Sequence, residues 1–241
     1  MNALIFSAGL GTRLAPLTDH TPKALVQLNG KPLLNYALEK CADLGVTTAV
    51  VNVHHFGQQV IDYLASQVYD GMKIVISDER DLLLDTGGGL IKALPLFEVD
   101  QPILLYNVDV ITNASLWDLK REHYRNDCIA TVMVNKREGN RFFLFNQEMD
   151  LCGWENTATN ERIISRDEKP LSSWGFCGIH FIEYDFVEKL GELRKFSITN
   201  GYLEIAKTEK IFGWSRWHGY WYDVGSPQKL HEAAEVVKQH K

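Results

Sequence analysis

Paired cysteines, excess basic charge and long apolar runs are all missing from this chain, and each absence removes a class of protein. Cys41, Cys128, Cys152 and Cys177 stand far apart with no CxxC spacing, so no tetrahedral zinc site is encoded. Lys and Arg number 25 against 31 Asp and Glu, a formal net charge of −6, which supplies no broad cationic face for a nucleic acid. Nowhere do about 18 apolar residues run together, as a membrane helix requires. The apolar start at Met1 has no basic flank before it and no small-residue cleavage site after it. The expectation is a protein of the reducing cytoplasm with buried structural thiols, and with neither a nucleic-acid nor a membrane partner.

The familiar nucleotide fingerprints are also missing. After Gly9-x-Gly11 the sixth position is Leu14 rather than glycine, and Asn29 stands where a dinucleotide-binding fold places its ribose-binding acid. No GK[ST] follows at the offset of a P-loop. Asp109-Val110-Ile111 does not supply the Asp-x-Asp of many glycosyltransferases. There is no internal repeat and no low-complexity tract.

What is present is enough apolar material, 45% of 241 residues, for one large core with a small lobe. Ala3 to Phe6, Ala49 to Val53, Ile74 to Ile76 and Ile103 to Tyr106 read as buried strands. Between them Leu33 to Leu44, Phe56 to Ala65, Gly88 to Leu94 and Leu116 to Arg125 read as helices. Strand alternating with helix implies a doubly wound, mostly parallel α/β sheet. The pattern loosens from about Asn135 to Pro170, where Phe142, Phe143, Phe145 and Trp154 would be costly to leave in water. That stretch is expected to form an inserted hairpin or lobe. Trp174 to Ile182 and Ile211 to Val224 then read as strands, and Ser226-Pro227 opens a helix striped by Leu230, Ala233, Ala234 and Val237. The expected organisation is one domain: core 1–134, insertion 135–182, and completion of the core with a terminal helix over 183–241.

The chemistry begins in Ser7-Ala8-Gly9-Leu10-Gly11-Thr12-Arg13, immediately after the first strand, with Pro22-Lys23 one loop later. Two glycines let backbone amides approach an anion, and Arg13 and Lys23 add positive charge. Asp109 follows the strand Ile103 to Tyr106, and Asp223 follows Tyr220-Trp221-Tyr222. Ligands of open α/β sheets bind beyond the carboxyl ends of strands, so both carboxylates are expected at the same crevice, where magnesium on a polyphosphate finds oxygen ligands. Any one of these aspartates alone would read as a cap or turn residue. His54 and His55 lack a third ligand nearby and read as loop or core residues. Trp214, Trp217 and Trp221 read mainly as core, and Asp78 to Asp81 as a solvated charge run.

Together these segments resemble the sugar nucleotidyltransferase family, whose opening motif is similar to Gly9-Leu10-Gly11-Thr12-Arg13-Leu14-x-Pro16-Leu17-Thr18 with Pro22-Lys23-x-Leu25 after it. Asp85 to Leu94, Asn107-Val108-Asp109 and Trp221 to Ser226 match in order, so the likeness spans nearly the whole chain. The short length, the triple glycine before Lys92-Ala93-Leu94-Pro95 and the Trp-x-Asp-Val-Gly ending most resemble N-acetylmuramate-1-phosphate uridylyltransferases of cell-wall recycling. Mannose- and heptose-phosphate guanylyltransferases are close neighbours. The resemblance implies a Rossmann-like nucleotidyltransferase fold and condensation of a nucleoside triphosphate with a sugar 1-phosphate, releasing pyrophosphate. It implies that Gly11, Thr12, Arg13 and Lys23 hold the triphosphate, and that Asp109 and Asp223 bind magnesium. Ala8, Gly9 and a Gly87–Gly89 turn would lie against the base, with Asn107 near ribose or phosphate. On the sugar side it points to Glu168-Lys169-Pro170, Gly178 and Arg141, although Phe176-Cys177 replaces a common Asn-Ala and Val108 replaces the glycine before Asp109. A non-catalytic nucleotide-sugar sensor would keep the glycine loop but has no need of both aspartates.

Overall fold

In the computed structural model, which describes residues 1–240, the chain opens on strand β1 (Asn2–Phe6), buried along its whole length. Two single 3-10 turns, Thr12–Leu14 and Lys23–Leu25, lead to the small hairpin of β2 (Gln27–Leu28) and β3 (Lys31–Pro32). Helix α1 (Leu33–Asp43), strand β4 (Thr48–Val53), α2 (Gly57–Ala65), β5 (Lys73–Asp78), α3 (Asp85–Ala93) and β6 (Ile103–Asn107) then alternate. Strand β7 (Val110–Thr112), helix α4 (Leu116–Asn126) and β8 (Ala130–Asn135) follow. The stretch of loosened patterning is a meander, β9 (Arg141–Phe145), β10 (Leu151–Asn156) and β11 (Glu161–Ile164), which passes into the 11-residue β12 (Ser172–Ile182). Helices α5 (Tyr184–Lys189) and α6 (Ile198–Ile205), strands β13 (Ile211–Trp214) and β14 (Trp221–Asp223), and helix α7 (Pro227–Gln239) complete the chain.

The central sheet is mixed. Its parallel part runs β5-β4-β1-β6, and β12 joins the edge of β6 in the opposite direction. The first half of β12 pairs with β9 through Ser172 to Trp174, and its second half pairs with β6 and β8. One strand therefore belongs to both lobe and core. Because side chains alternate across a strand, the sheet presents two apolar faces. Ala3, Ile5, Ala49, Val51, Leu104 and Tyr106 face a layer built from α1, α2, α4 and α7. Leu4, Phe6, Val50, Ile103 and Leu105 face a second layer built from α3, α5 and α6. Helices on both faces of a largely parallel sheet are the doubly wound arrangement expected from strand–helix alternation.

Two readings of the sequence are corrected, and two helices are added. Ile211 to Val224 is not one strand: β13 lies parallel to β8, whereas β14 pairs antiparallel with β7 in a separate two-stranded sheet. Ser215 to Gly219 break the run, and Gly219 has a positive φ of 115° that an L side chain rarely adopts. Gly87 to Gly89 form no turn; they are buried in the first half of α3. Helices α5 and α6 occupy a region whose charged stretch, Glu188 to Lys195, hides their short periodicity. The four cysteines are buried free thiols, with burial pushing Cys41 up to about 12 and Cys152 up to about 11. Among the described residues no helix is long and apolar enough to cross a membrane.

Candidate active site

A cavity of about 420 Å³ opens beyond the carboxyl ends of β1, β4, β5 and β6, where a doubly wound sheet places its ligands. The glycine loop forms one wall. Gly11 holds a left-handed φ of 68°, and a Cβ there would stand 2.9 Å from Thr18 Cγ2, so glycine is required both by conformation and by space. Thr18 Oγ1 donates to the Gly11 carbonyl at 2.9 Å and Leu14 N donates to the same oxygen at 2.8 Å. Leu14 is fully buried while Gly9, Leu10, Thr12 and Arg13 stay exposed. Leu14 anchors the loop, and Thr12 and Arg13 are left to solvent.

Asn52, at the end of β4, ties the base of that loop to the neighbouring strand. Its Oδ1 accepts from Ser7 N at 2.7 Å and Ala8 N at 3.2 Å, and its Nδ2 donates to Glu79 Oε1 at 2.8 Å. Glu79 is fully buried, and its other oxygen accepts from Leu84 N at 3.1 Å. Every polar atom of this floor is thereby satisfied, as a low-dielectric site demands. A Cβ on Gly89 would lie 2.8 Å from Glu79 Oε1, and one on Gly88 would lie 2.2 Å from the Arg194 carbonyl. Ring atoms of Phe196 come within 2.5 Å of the corresponding point on Gly87. The three glycines thus let α3 approach Glu79 and the Arg194–Phe196 strap, and Gly87 and Gly88 are not among the cavity-lining residues.

The two aspartates are brought together by β7 and β14. Asp223 pairs with Val110, and Val224 N donates to the Asp109 carbonyl at 2.9 Å. A cation lies near each of them. Lys23 Nζ bonds the Asp109 carboxylate, while a Cβ on Gly225 would stand 2.7 Å from both Arg13 Nη2 and Asp223 Oδ1. Asp223 Oδ1 also accepts from Gly225 N at 2.9 Å. Pro227 then starts α7, capped by Ser226 Oγ, which accepts from Lys229 N. The helix start fixes where the Asp223–Gly225 segment ends.

Of the residues singled out from the sequence, Ala8, Gly9, Lys23, Asn107 and Asp109 line the cavity. Arg13 Nη2 and Asp223 Oδ1 both lie close to Gly225. Gly178, with φ of 74°, packs on Asn107: an added Cβ would lie 2.8 Å from Asn107 Nδ2. Arg141, Glu168 and Lys169 are not brought to the cavity. Arg141 is exposed at the start of β9, Glu168 Oε2 accepts from Asn146 Nδ2 at 2.6 Å, and Lys169 extends into solvent. Sequence reasoning missed Asn52, Glu79, Leu83, Asp85, Thr86 and Lys195, all of which line the cavity. His54 is a loop histidine, its Nδ1 2.7 Å from the Glu79 carbonyl.

This architecture recurs in known proteins. A family model described as nucleotidyl transferase matches residues 2–240. N-acetylmuramate alpha-1-phosphate uridylyltransferase of Caulobacter vibrioides is 31% identical over 98% of this chain and 97% of its own length. A mannose-1-phosphate guanyltransferase of Yarrowia lipolytica is 29% identical over 95% of the chain, which spans 61% of that relative. The fold is shared with HddC from Yersinia pseudotuberculosis complexed with GMP-PN, at a TM-score of 0.75, 18% identity and coverage of 98% and 99%. The chain belongs to the nucleotidyl transferase family, within its sugar-1-phosphate nucleotidyltransferases.

Proposed function

We propose that the chain condenses UTP with N-acetylmuramate 1-phosphate to give the UDP-sugar and pyrophosphate. The observation that carries the reaction is the backbone pairing of Asp109 with Val224, next to Asp223, at one end of a cavity walled by the glycine loop. Full-length likeness to the Caulobacter vibrioides uridylyltransferase favours this substrate pair. The guanyltransferase relative makes GTP with mannose 1-phosphate the second reading.

Two carboxylates with oxygen donors fit magnesium, which takes one or two acidic side chains and completes its shell from phosphates and water. Among the described residues no cluster of three or more His, Cys, Asp or Glu side chains could enclose a metal alone. Asp109 and Asp223 would hold the ion, and when bound it supplies charge neutralisation to the polyphosphate.

The protein's own part is positioning. A sugar phosphate has its second pKa near ~6, so at neutral pH its oxygen attacks the α-phosphorus without a side-chain base. The in-line displacement breaks the bond to the β-phosphate, and pyrophosphate leaves with its charge met by Arg13 and Lys23. Lys23 is released from Asp109 as phosphate arrives. Purified protein with magnesium, offered UTP, GTP, CTP and dTTP against several sugar 1-phosphates, should release pyrophosphate fastest with UTP and N-acetylmuramate 1-phosphate. No release from any pair would move the reading to a nucleotide sensor.

A further inference from the structure

The cavity has direction. Asp109 follows β6, the glycine loop follows β1, Asn52 ends β4 and Glu79 follows β5, so these residues mark successive strands of the sheet. Three strand spacings of about 4.8 Å make roughly 14 Å, which separates the phosphate end at Asp109 from the end that receives the base. This assignment of ends rests on the reading of the site as a nucleotide site.

At the base end three charged side chains line the wall: Glu79, Asp85 and Lys195. Glu79 is engaged by Asn52 and the Leu84 amide. Asp85 Oδ1 accepts from Thr86 N at 2.6 Å. Lys195 forms no hydrogen bond or ion pair with any described residue. Its backbone is nevertheless firmly placed. Phe196 N donates to the Leu84 carbonyl at 3.2 Å, the Phe196 carbonyl accepts from Gly87 N at 2.9 Å, and Ile198 N donates to Thr86 Oγ1 at 2.9 Å. Arg194 is held by the Leu190 carbonyl at 2.8 Å and lies 4.2 Å from the centre of the Phe196 ring. The strap fixes both neighbours of Lys195, an exposed residue that lines the cavity and whose ammonium has no partner among the described residues.

We infer that Lys195 is a specificity-determining residue that donates to the exocyclic carbonyl of the incoming base. Uracil, thymine and guanine carry a carbonyl oxygen at the position where cytosine and adenine carry an amino group. An ammonium donates three hydrogens and accepts none, so it bonds the first set and repels the second. Sites built to hydrogen-bond a substrate group reject analogues lacking it more strongly than apolar sites do. The device selects a class of base and leaves uracil against guanine to cavity shape.

The test is nucleotide binding by calorimetry, separate from turnover. The intact protein should bind the better of UTP and GTP more tightly than CTP. Lys195→Met should shrink that ratio roughly tenfold or more, the scale of one charge-assisted hydrogen bond, and Lys195→Arg should keep most of it. Pyrophosphate affinity and the UTP to dUTP ratio should stay within twofold in Lys195→Met. An unchanged base ratio, a preference for CTP in the intact protein, or a loss that tracks pyrophosphate or dUTP instead would overturn the inference. Selective binding without turnover would reject the proposed reaction and leave Lys195 standing; no nucleotide binding would remove both.

Discussion

Lys23 lies against the carboxylate of Asp109, both side chains mostly buried at 12% and 14% exposure. The two charges are thus paired, and neither stands alone in a partly desolvated place. In the proposed reaction, substrate arrival would exchange this pair for two others.

Asp109→Asn should leave the fold intact and lower the rate of pyrophosphate release by about 10²–10³-fold, the scale of one lost electrostatic contact in a transition state. Activity within threefold of the parent protein at saturating magnesium would contradict the role given to Asp109.

Gly225→Ala puts a methyl group 2.7 Å from both Arg13 Nη2 and Asp223 Oδ1. The backbone there accepts an L side chain, since no positive φ is involved. The expected result is a roughly 10–100-fold fall in kcat/KM with little change in Tm, because in the proposed reaction the displaced groups serve substrate rather than the core. Steady-state kinetics beside a melting curve decide it.

Asn52→Ala removes the partner of the Ser7 and Ala8 amides and of the buried Glu79 carboxylate. Leaving these groups unpaired should cost about 2–4 kcal/mol in urea unfolding. A loss below about 0.5 kcal/mol would show that water replaces the amide without penalty.

His180 is fully buried on β12 with Nδ1 against the Tyr202 hydroxyl, and burial lowers its pKa to about 3. The folded protein holds it neutral while the unfolded chain takes up a proton below its ordinary value of 6.5. Stability from this group is full above 6.5 and is lost as pH falls toward 3, by up to about 1.4 kcal/mol per unit. His180→Asn should flatten that part of the stability profile, whatever its effect at neutral pH. Equal slopes for the two proteins between pH 6.5 and 5 would refute the assignment.

The aspartates were legible because each closes an apolar or aromatic run, and the glycine loop because it follows the first strand. Asn52 was not, since within Ala49 to Val53 it reads as one more strand position and its partner Glu79 lies 27 residues away. Gly87 to Gly89 misled for a physical reason: glycine is scarce in helices, and only the closeness of Glu79, Arg194 and Phe196 explains it here. Lys195 sits in a charged stretch without periodicity, so nothing in its local sequence announces that the bonds of Phe196 to Leu84 and Gly87 bring it to the cavity. The break between β13 and β14 was hidden by aromatic residues on both sides of Gly219.

Strand β12 runs unbroken from the meander into the central sheet, shifting register between Phe176 and His180. The left-handed Gly178 lies within that shift, directly on Asn107. Meander and cavity wall consequently share a spine rather than a hinge. A tilt of the outer strands would press through Gly178 on the Asn107 amide, so that in the proposed reaction a ligand held by the meander would bear on the cavity wall.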